Sequence, residues 1–242
     1  MQEVFFEDLG RIPYKEAWSY QDKLVQTINS IKLQNRQKES ADPTPNYLLF
    51  CEHPHVYTLG KSGAQENLIW NAGQLKEKGV EFVHTNRGGD ITYHGPGQIV
   101  GYPILDLENY FTDLHRYLRT LEKIIILTLN DLGIEAGLSD GLTGVWLDSD
   151  NPAKARKICA MGVKCTRWIT LHGFALNINP DLSYFSGIVP CGIKDKAVTS
   201  VKQELGYVPD YDKIKASLLK NFAEVFDSRI VNMEHDTFPE SH

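Results

Sequence analysis

Leu114, Leu118, Leu121, Ile125, Leu129 and Leu132 follow one another at steps of 4, 3, 4, 4 and 3, and Gly133 stands just past the last. That period puts all six on one stripe of an α-helix, and a glycine at this point supplies the left-handed residue that commonly ends one. So continuous an apolar stripe must be buried against another element. The rest of the chain predicts a sheet as that element. Short β-type runs lie at Val4–Phe6, Tyr47–Cys51, Gln98–Tyr102, Gly144–Leu147, Ile158–Val163 and Thr170–Leu176. Two further helical patterns run through Ala17, Leu24, Ile28 and Ile31, and through Ile214, Leu218, Phe222 and Val225. Strands and helices mixed in this order predict an α+β fold, with a mixed, largely antiparallel sheet flanked by helices.

Composition narrows the function classes. The 242 residues are 42% hydrophobic and 23% charged, which excludes intrinsic disorder and a small disulfide scaffold. A net charge of −6 without basic runs argues against nonspecific nucleic-acid binding. No window approaches the roughly 18 apolar residues of a membrane span. No basic stretch followed by an apolar run opens the chain, and four cysteines accompany it, so a cytoplasmic protein with reduced thiols is expected. The polar, proline-punctuated stretch 34–46 reads as an exposed loop. A single domain is expected over 1–230, with a polar C-terminal tail at 231–242.

The densest chemistry is Arg87-Gly88-Gly89-Asp90-Ile91-Thr92-Tyr93-His94-Gly95-Pro96-Gly97-Gln98. Its glycines let backbone N–H groups approach a ligand closely. It lacks the Gly-Lys-Ser/Thr of a Walker loop and does not fit the dinucleotide pattern. A plain glycine-rich hairpin is the alternative. In Pro190-Cys191-Gly192 a thiol stands in a rigid turn, where it is a candidate nucleophile if a partner lowers its pKa; burial as a small apolar residue is the competing account. Lys157 opens a strand, and alternation from Ile158 puts it on the face opposite the core. Cys159 and Cys165 lie among apolar residues and read as buried. Cys51, His53 and His55 alternate like metal ligands, but no second cluster supports them, so no metal is expected. No Gly-x-Ser-x-Gly elbow is present.

Four segments in order, Arg87–Gln98, Lys157–Gly162, Leu171–Asn177 and Ile188–Ile193, together resemble the lipoyl(octanoyl) transferases of the biotin and lipoate protein ligase superfamily. The likeness extends from about Glu52 to about Leu205. It implies the fold of the biotin/lipoate A/B protein ligases. It also implies an acyltransferase that moves an octanoyl group from octanoyl-acyl carrier protein to a lysine of lipoyl domains. The acceptors would be 2-oxoacid dehydrogenase E2 subunits and the glycine cleavage H protein, with no cofactor. The family's acyl-thioester nucleophile falls on Cys191 and its partner lysine on Lys157. Substrate-binding positions fall on Arg87, Gly88, Gly89, Asp90, Ile91, Thr92, Tyr93 and His94, on Ala160, Met161 and Gly162, and on Gly173, Phe174 and Ala175. Lys164 departs from the arginine common there. An acidic carrier would meet basic residues at Arg87, Lys154, Arg156 and Lys164. An ATP-dependent lipoate or biotin ligase, and a non-catalytic lipoyl-domain or carrier binding protein, are the alternatives.

Overall fold

The leucine stripe forms the helix α3 (Leu114–Asp131). Asp113 caps it, its carboxylate accepting from the Arg116 N–H at 2.9 Å, and Gly133 follows at φ +77°. Leu121, Ile125 and Leu129 are buried, and full burial of such a side chain is worth about 1.5–3 kcal/mol. They pack with Ile214, Leu218 and Phe222 of α5 (Tyr211–Val225) on one face of the sheet. Ile125→Ala would leave a void there costing about 2–5 kcal/mol.

This computed structural model describes residues 1–38, 41–189 and 197–233. Among them, the main sheet holds β12 (Ser228–Asn232), β1 (Gln2–Arg11), β2 (Asn46–Glu52), β6 (Gln98–Ile104), β10 (Ile169–Asn177), β9 (Arg156–Thr166), β8 (Leu142–Leu147) and β7 (Gly137–Ser139), in that spatial order. The short β11 (Ala197–Val198) runs parallel to β9 at Arg156 and Lys157, just beyond the point where β10 leaves it. β1 pairs in parallel with both neighbours, and the pairs from β2 to β7 are antiparallel. The sheet is therefore mixed, as expected. Strand alternation sorts the two faces: Leu48, Phe50, Ile99, Phe174 and Leu176 face α3 and α5, whereas Leu49, Cys51, Val100, Tyr102 and Ala175 face α1 (Tyr14–Lys38).

Two elements depart from the sequence reading. α1 runs on through Lys38, so residues 34–38 are helical rather than loop. Its buried position after Ile28 is Lys32, not Ile31. The Lys32 ammonium pairs with Asp106 at 2.5 Å and donates to the Arg167 carbonyl at 3.0 Å. The polar tail also begins later than residue 231, because Val231 and Asn232 belong to β12, paired with Phe5 and Phe6.

A second, three-stranded sheet holds β4 (Glu81–His84), β3 (Val56–Leu59) and β5 (Ile91–His94), in that order. Its core includes Tyr57, Ile91 and Tyr93, packed by Trp70, Tyr184 and Phe185. The glycine-rich segment is not a hairpin. β5 joins β3, and after the turn at 95–97 the chain enters the main sheet as β6. That segment is the seam between the two sheets. No helix among the described residues is long and apolar enough to cross a membrane.

Candidate active site

Arg87 fixes the seam. Only 6% exposed, it donates to the Thr58 carbonyl at 2.5 Å, the Asp90 carbonyl at 2.7 Å, the Gly88 carbonyl at 3.0 Å and the Thr58 hydroxyl at 2.9 Å. A guanidinium spent on carbonyls shapes a loop and is not offered to a partner's carboxylates, which corrects the expectation of a docking cation here. The Gly88 N–H donates to the Val163 carbonyl at 2.9 Å and lays the loop on β9. Opposite lies Gly162, where a Cβ would come within 2.8 Å of the Gly88 carbonyl oxygen and 3.2 Å of the Arg87 stem. Only glycine permits that approach.

Between this loop, β9, β10, the β7–β8 hairpin and the start of α3 lies a cavity of about 380 Å³. That is within the roughly 300–1,000 Å³ of small-molecule sites. One end is apolar around Leu114, Leu118, Leu142, Trp146 and Met161, and the other is polar around Tyr14, Arg87, His94, Tyr102 and His172. Leu114, expected in the core by its stripe, is exposed and walls this cavity instead, while Leu118 walls it and also packs against the core. From Lys157 to Gly162 is five strand residues, about 16 Å of groove floor.

The sequence-assigned residues largely converge here. Arg87 to Thr92, His94, Lys157, Ala160, Met161, Gly162, Gly173, Phe174 and Ala175 all line the cavity. Tyr93 does not: its side chain is buried in the small sheet, beside Tyr57 and Tyr184 and hydrogen-bonded to His55 Nδ1 at 2.8 Å. Strand alternation turns it away from Thr92 and His94. Cys191 lies outside the described residues, but both flanks of its segment border the cavity, Phe185 before it and Ala197 and Val198 after it.

The sequence missed Trp146, Tyr14, Tyr102 and His172. Lys157 Nζ sits 4.6 Å from the centroid of the Trp146 ring. His172, in a motif but given no role, holds φ +60° within a strand, a conformation sparsely populated for a residue with a Cβ. Its N–H donates to Gln21 Oε1 at 2.8 Å, and its Nε2 lies 2.8 Å from Asn86 Oδ1. Burial lowers its pKa to about 3, with Arg87 adding to the effect, and lowers that of His94 well below the ordinary range. The Nδ1 atoms of both rings find no hydrogen-bond partner among the described residues. Beneath them, His53 Nδ1 lies 2.7 Å from the Ile12 carbonyl, and burial lowers its pKa to about 4. The neutral ring therefore donates from Nδ1 and accepts the Tyr102 hydroxyl at Nε2, 2.7 Å away. Cys51 Sγ is 3.5 Å from that same Nε2, while His55 stacks on Tyr184, so the alternating trio does not converge on one point. Burial also pushes Tyr14 up to about 12. The polar end is thus a set of neutral hydrogen-bonding groups beside one arginine.

Among the described cysteines, Cys51 and Cys159 are buried and Cys165 is half-buried, less enclosed than expected. Burial raises the pKa of each.

Comparison with known proteins agrees with this geometry. The lipoyl protein ligase A/B catalytic domain family matches residues 13–223. An octanoyltransferase of Cytophaga hutchinsonii is 57% identical over 236 residues, 97% of each chain. One from Flavobacterium johnsoniae is 58% identical over 231 residues, 95% of this chain and 99% of its own. A bi-partite lipoate protein ligase from Thermoplasma acidophilum shares the fold, with a TM-score of 0.67 at 15% identity over 97% of this chain and 88% of that one. A lipoate-protein ligase A bound with ATP aligns equally well, with a TM-score of 0.67 and 15% identity over 97% and 90% of the two chains. The chain belongs to the lipoyl protein ligase A/B catalytic domain family and, within it, to the octanoyltransferases.

Proposed function

We propose that this protein moves an octanoyl group from the thioester of octanoyl-acyl carrier protein to a lysine amine on a lipoyl domain, through a thioester on Cys191. The observation that carries the reading is the position of Lys157. Its amine lies in an apolar-ended cavity, and its strand is paired by Val198, seven residues after Cys191. The Thr199 N–H donates to the Lys157 carbonyl at 2.9 Å, so the segment carrying the thiol ends beside the lysine. The thiols of Cys51, Cys159 and Cys165 are all held protonated by burial, which supports Cys191 as the nucleophile.

The chemistry balances without a cofactor. The Cys191 thiolate attacks the octanoyl carbonyl, the new C–S bond forms, and the carrier's thiol leaves with a proton. The acceptor's neutral amine then attacks the enzyme thioester. A C–N bond forms, the C–S bond breaks, and the proton lost by nitrogen returns to sulfur. Exchange between thioesters is nearly even and amide formation is downhill, so ATP is not consumed. Burying six methylenes at about 0.8 kcal/mol each supplies about 5 kcal/mol of binding from the apolar end. Gly89 brings a backbone N–H group to the cavity margin, where it serves a developing oxyanion.

The test is intact-mass analysis after mixing with octanoyl-acyl carrier protein, without ATP, followed by addition of a lipoyl domain. An octanoyl adduct on Cys191 that passes to the lipoyl domain is expected. An adduct on another cysteine, or transfer that requires ATP and free octanoate, would overturn the reading.

A further inference from the structure

We infer that Trp146 is a positioning residue that keeps Lys157 in its charged form and aims it along the cavity, an inference that rests on Lys157 as the partner of Cys191. β8 and β9 are out of regular register between Val145 and Trp146, so Val145 pairs with Cys159 while Trp146 pairs with Lys157. The irregularity sends Val145 and Ile158 into the core and leaves Trp146 and Lys157 side by side in the cavity wall. The indole, 2% exposed, offers its π-face to the ammonium at 4.6 Å.

The lysine's stem has a seat of its own. Gly144, at φ +111°, lies beneath it, and a Cβ there would come within 3.5–3.6 Å of Lys157 Cε and Cδ and within 2.6 Å of the Cys159 carbonyl oxygen. From behind, the Gly144 N–H donates to Glu122 Oε1 at 2.8 Å; this carboxylate is fully buried and its other oxygen takes Arg119 at 2.7 Å. Glycine and indole thus flank the stem and the ammonium of the lysine.

The electrostatic consequence follows from this geometry. Partial burial of a lysine favours its neutral form. The negative face of an indole opposes that by stabilising the cation, most strongly where water is excluded, and tryptophan does so better than tyrosine or phenylalanine. Among the described residues, the titratable and charged groups around Lys157 are Cys159 on its own strand, Glu122 behind Gly144, Arg156 beside it with Glu204 and Asp148, and Asp90 and Arg87 across the cavity. The indole faces Lys157 Nζ directly. A lysine kept charged stabilises a neighbouring thiolate instead of removing its proton.

The decisive measurement needs no substrate. In protein labelled with 13C at lysine Cε, the Lys157 resonance is titrated by NMR in the native chain and in Trp146→Tyr, Trp146→Phe and Trp146→Leu. The midpoint is expected to fall in that order, by about one pH unit for Trp146→Leu. A midpoint unmoved across the series overturns the inference, and should Trp146→Leu not fold, the tyrosine and phenylalanine variants carry the same test. Alkylation of Cys191 by iodoacetamide is expected to slow in Trp146→Leu at pH values between the two Lys157 midpoints, where only the native lysine keeps its charge. If the Lys157 midpoint moves while alkylation does not, the pairing with Cys191 fails and the role of Trp146 stands.

Discussion

Lys32 on helix α1 and Lys157 on strand β9 are both withdrawn from bulk water, and their surroundings are opposite. Lys32 is 6% exposed, with Asp106 at 2.5 Å, Glu108 at 2.9 Å and a backbone carbonyl at 3.0 Å. Asp106 is itself held by the Thr44 hydroxyl at 2.9 Å. Every valence of that ammonium is spent inside the fold. Lys157 is half-buried, borders a cavity of about 380 Å³ and rests on an aromatic face. An ion pair fixes a charge where it stands, whereas a π-face stabilises a charge that borders a cavity. The first arrangement stabilises a fold and the second suits chemistry.

Removing each lysine breaks the comparison in opposite ways. Lys157→Ala is expected to slow octanoyl transfer by about 10³-fold or more, with thermal unfolding changed by only a few degrees. Lys32→Ala leaves Asp106 buried and uncompensated, so urea unfolding is expected to report a loss of about 3–5 kcal/mol. Its transfer rate, measured below the unfolding transition, should stay within a few-fold of the native value. A large rate loss in folded Lys32→Ala, or a large stability loss in Lys157→Ala, would erase the distinction.

The glycine seam offers a test of intermediate size. Gly162→Ala sets a methyl against the Gly88 carbonyl, which must retreat with Arg87 and the loop it organises. Overpacking of this kind costs about 1–3 kcal/mol. Because the displaced loop walls the cavity, kcat/KM for octanoyl-acyl carrier protein is expected to drop at least tenfold, measured beside Gly137→Ala, whose Cβ would meet nothing within 4 Å.

These features were unequally legible beforehand. Helix α3 was legible because its stripe is long and periodic, and the glycine segment because so many polar and glycine residues crowd it. The loop reading of 34–46 failed over 34–38 because Gln34, Gln37 and Lys38 are good helix formers, so the helix continues where its apolar stripe ends. Lys32 was invisible because its partners lie 74 and 135 positions away. Trp146 met Lys157 through strand register, and His172 met Asn86 and Gln21 across sheet, loop and helix. Local pattern records which residues an element carries. The pairing of distant elements decides which of them become a site.

Acid sharpens the contrast between the cavity's two ends. His53 and His172 are neutral in the fold, with pKa values lowered to about 4 and about 3, against about 6.5 in an unfolded chain. Below pH 6.5 the unfolded state binds more protons than the native state, so stability is full above that pH and declines as pH falls toward the folded values. Each histidine contributes a slope of about 1.4 kcal/mol per pH unit in that window. Urea unfolding at pH 7, 6 and 5 should reveal the decline, and His172→Gln should flatten it. A slope unchanged in His172→Gln would mean that this ring is already protonated in the fold.

The smallest effect belongs to a third kind of lysine. Lys154 is exposed and its ammonium remains solvated, close in sequence to Lys157, while Arg156 between them is engaged by Glu204 at 2.6 Å and also by Asp148. Arg87 is buried in the seam, so neither arginine is offered to an acidic partner. On the proposed reading, docking of an acidic carrier then falls to Lys154 and the half-buried Lys164. An exposed pair of this kind is worth about 0.2–1 kcal/mol and is screened by salt. Lys154→Glu is therefore expected to raise the Michaelis constant for octanoyl-acyl carrier protein two- to fivefold at about 50 mM salt. At about 500 mM salt the difference should vanish, with the single-turnover rate unchanged throughout. A change in that rate would mean Lys154 acts on the chemistry and not on the encounter, and would move it from the solvated class into that of Lys157.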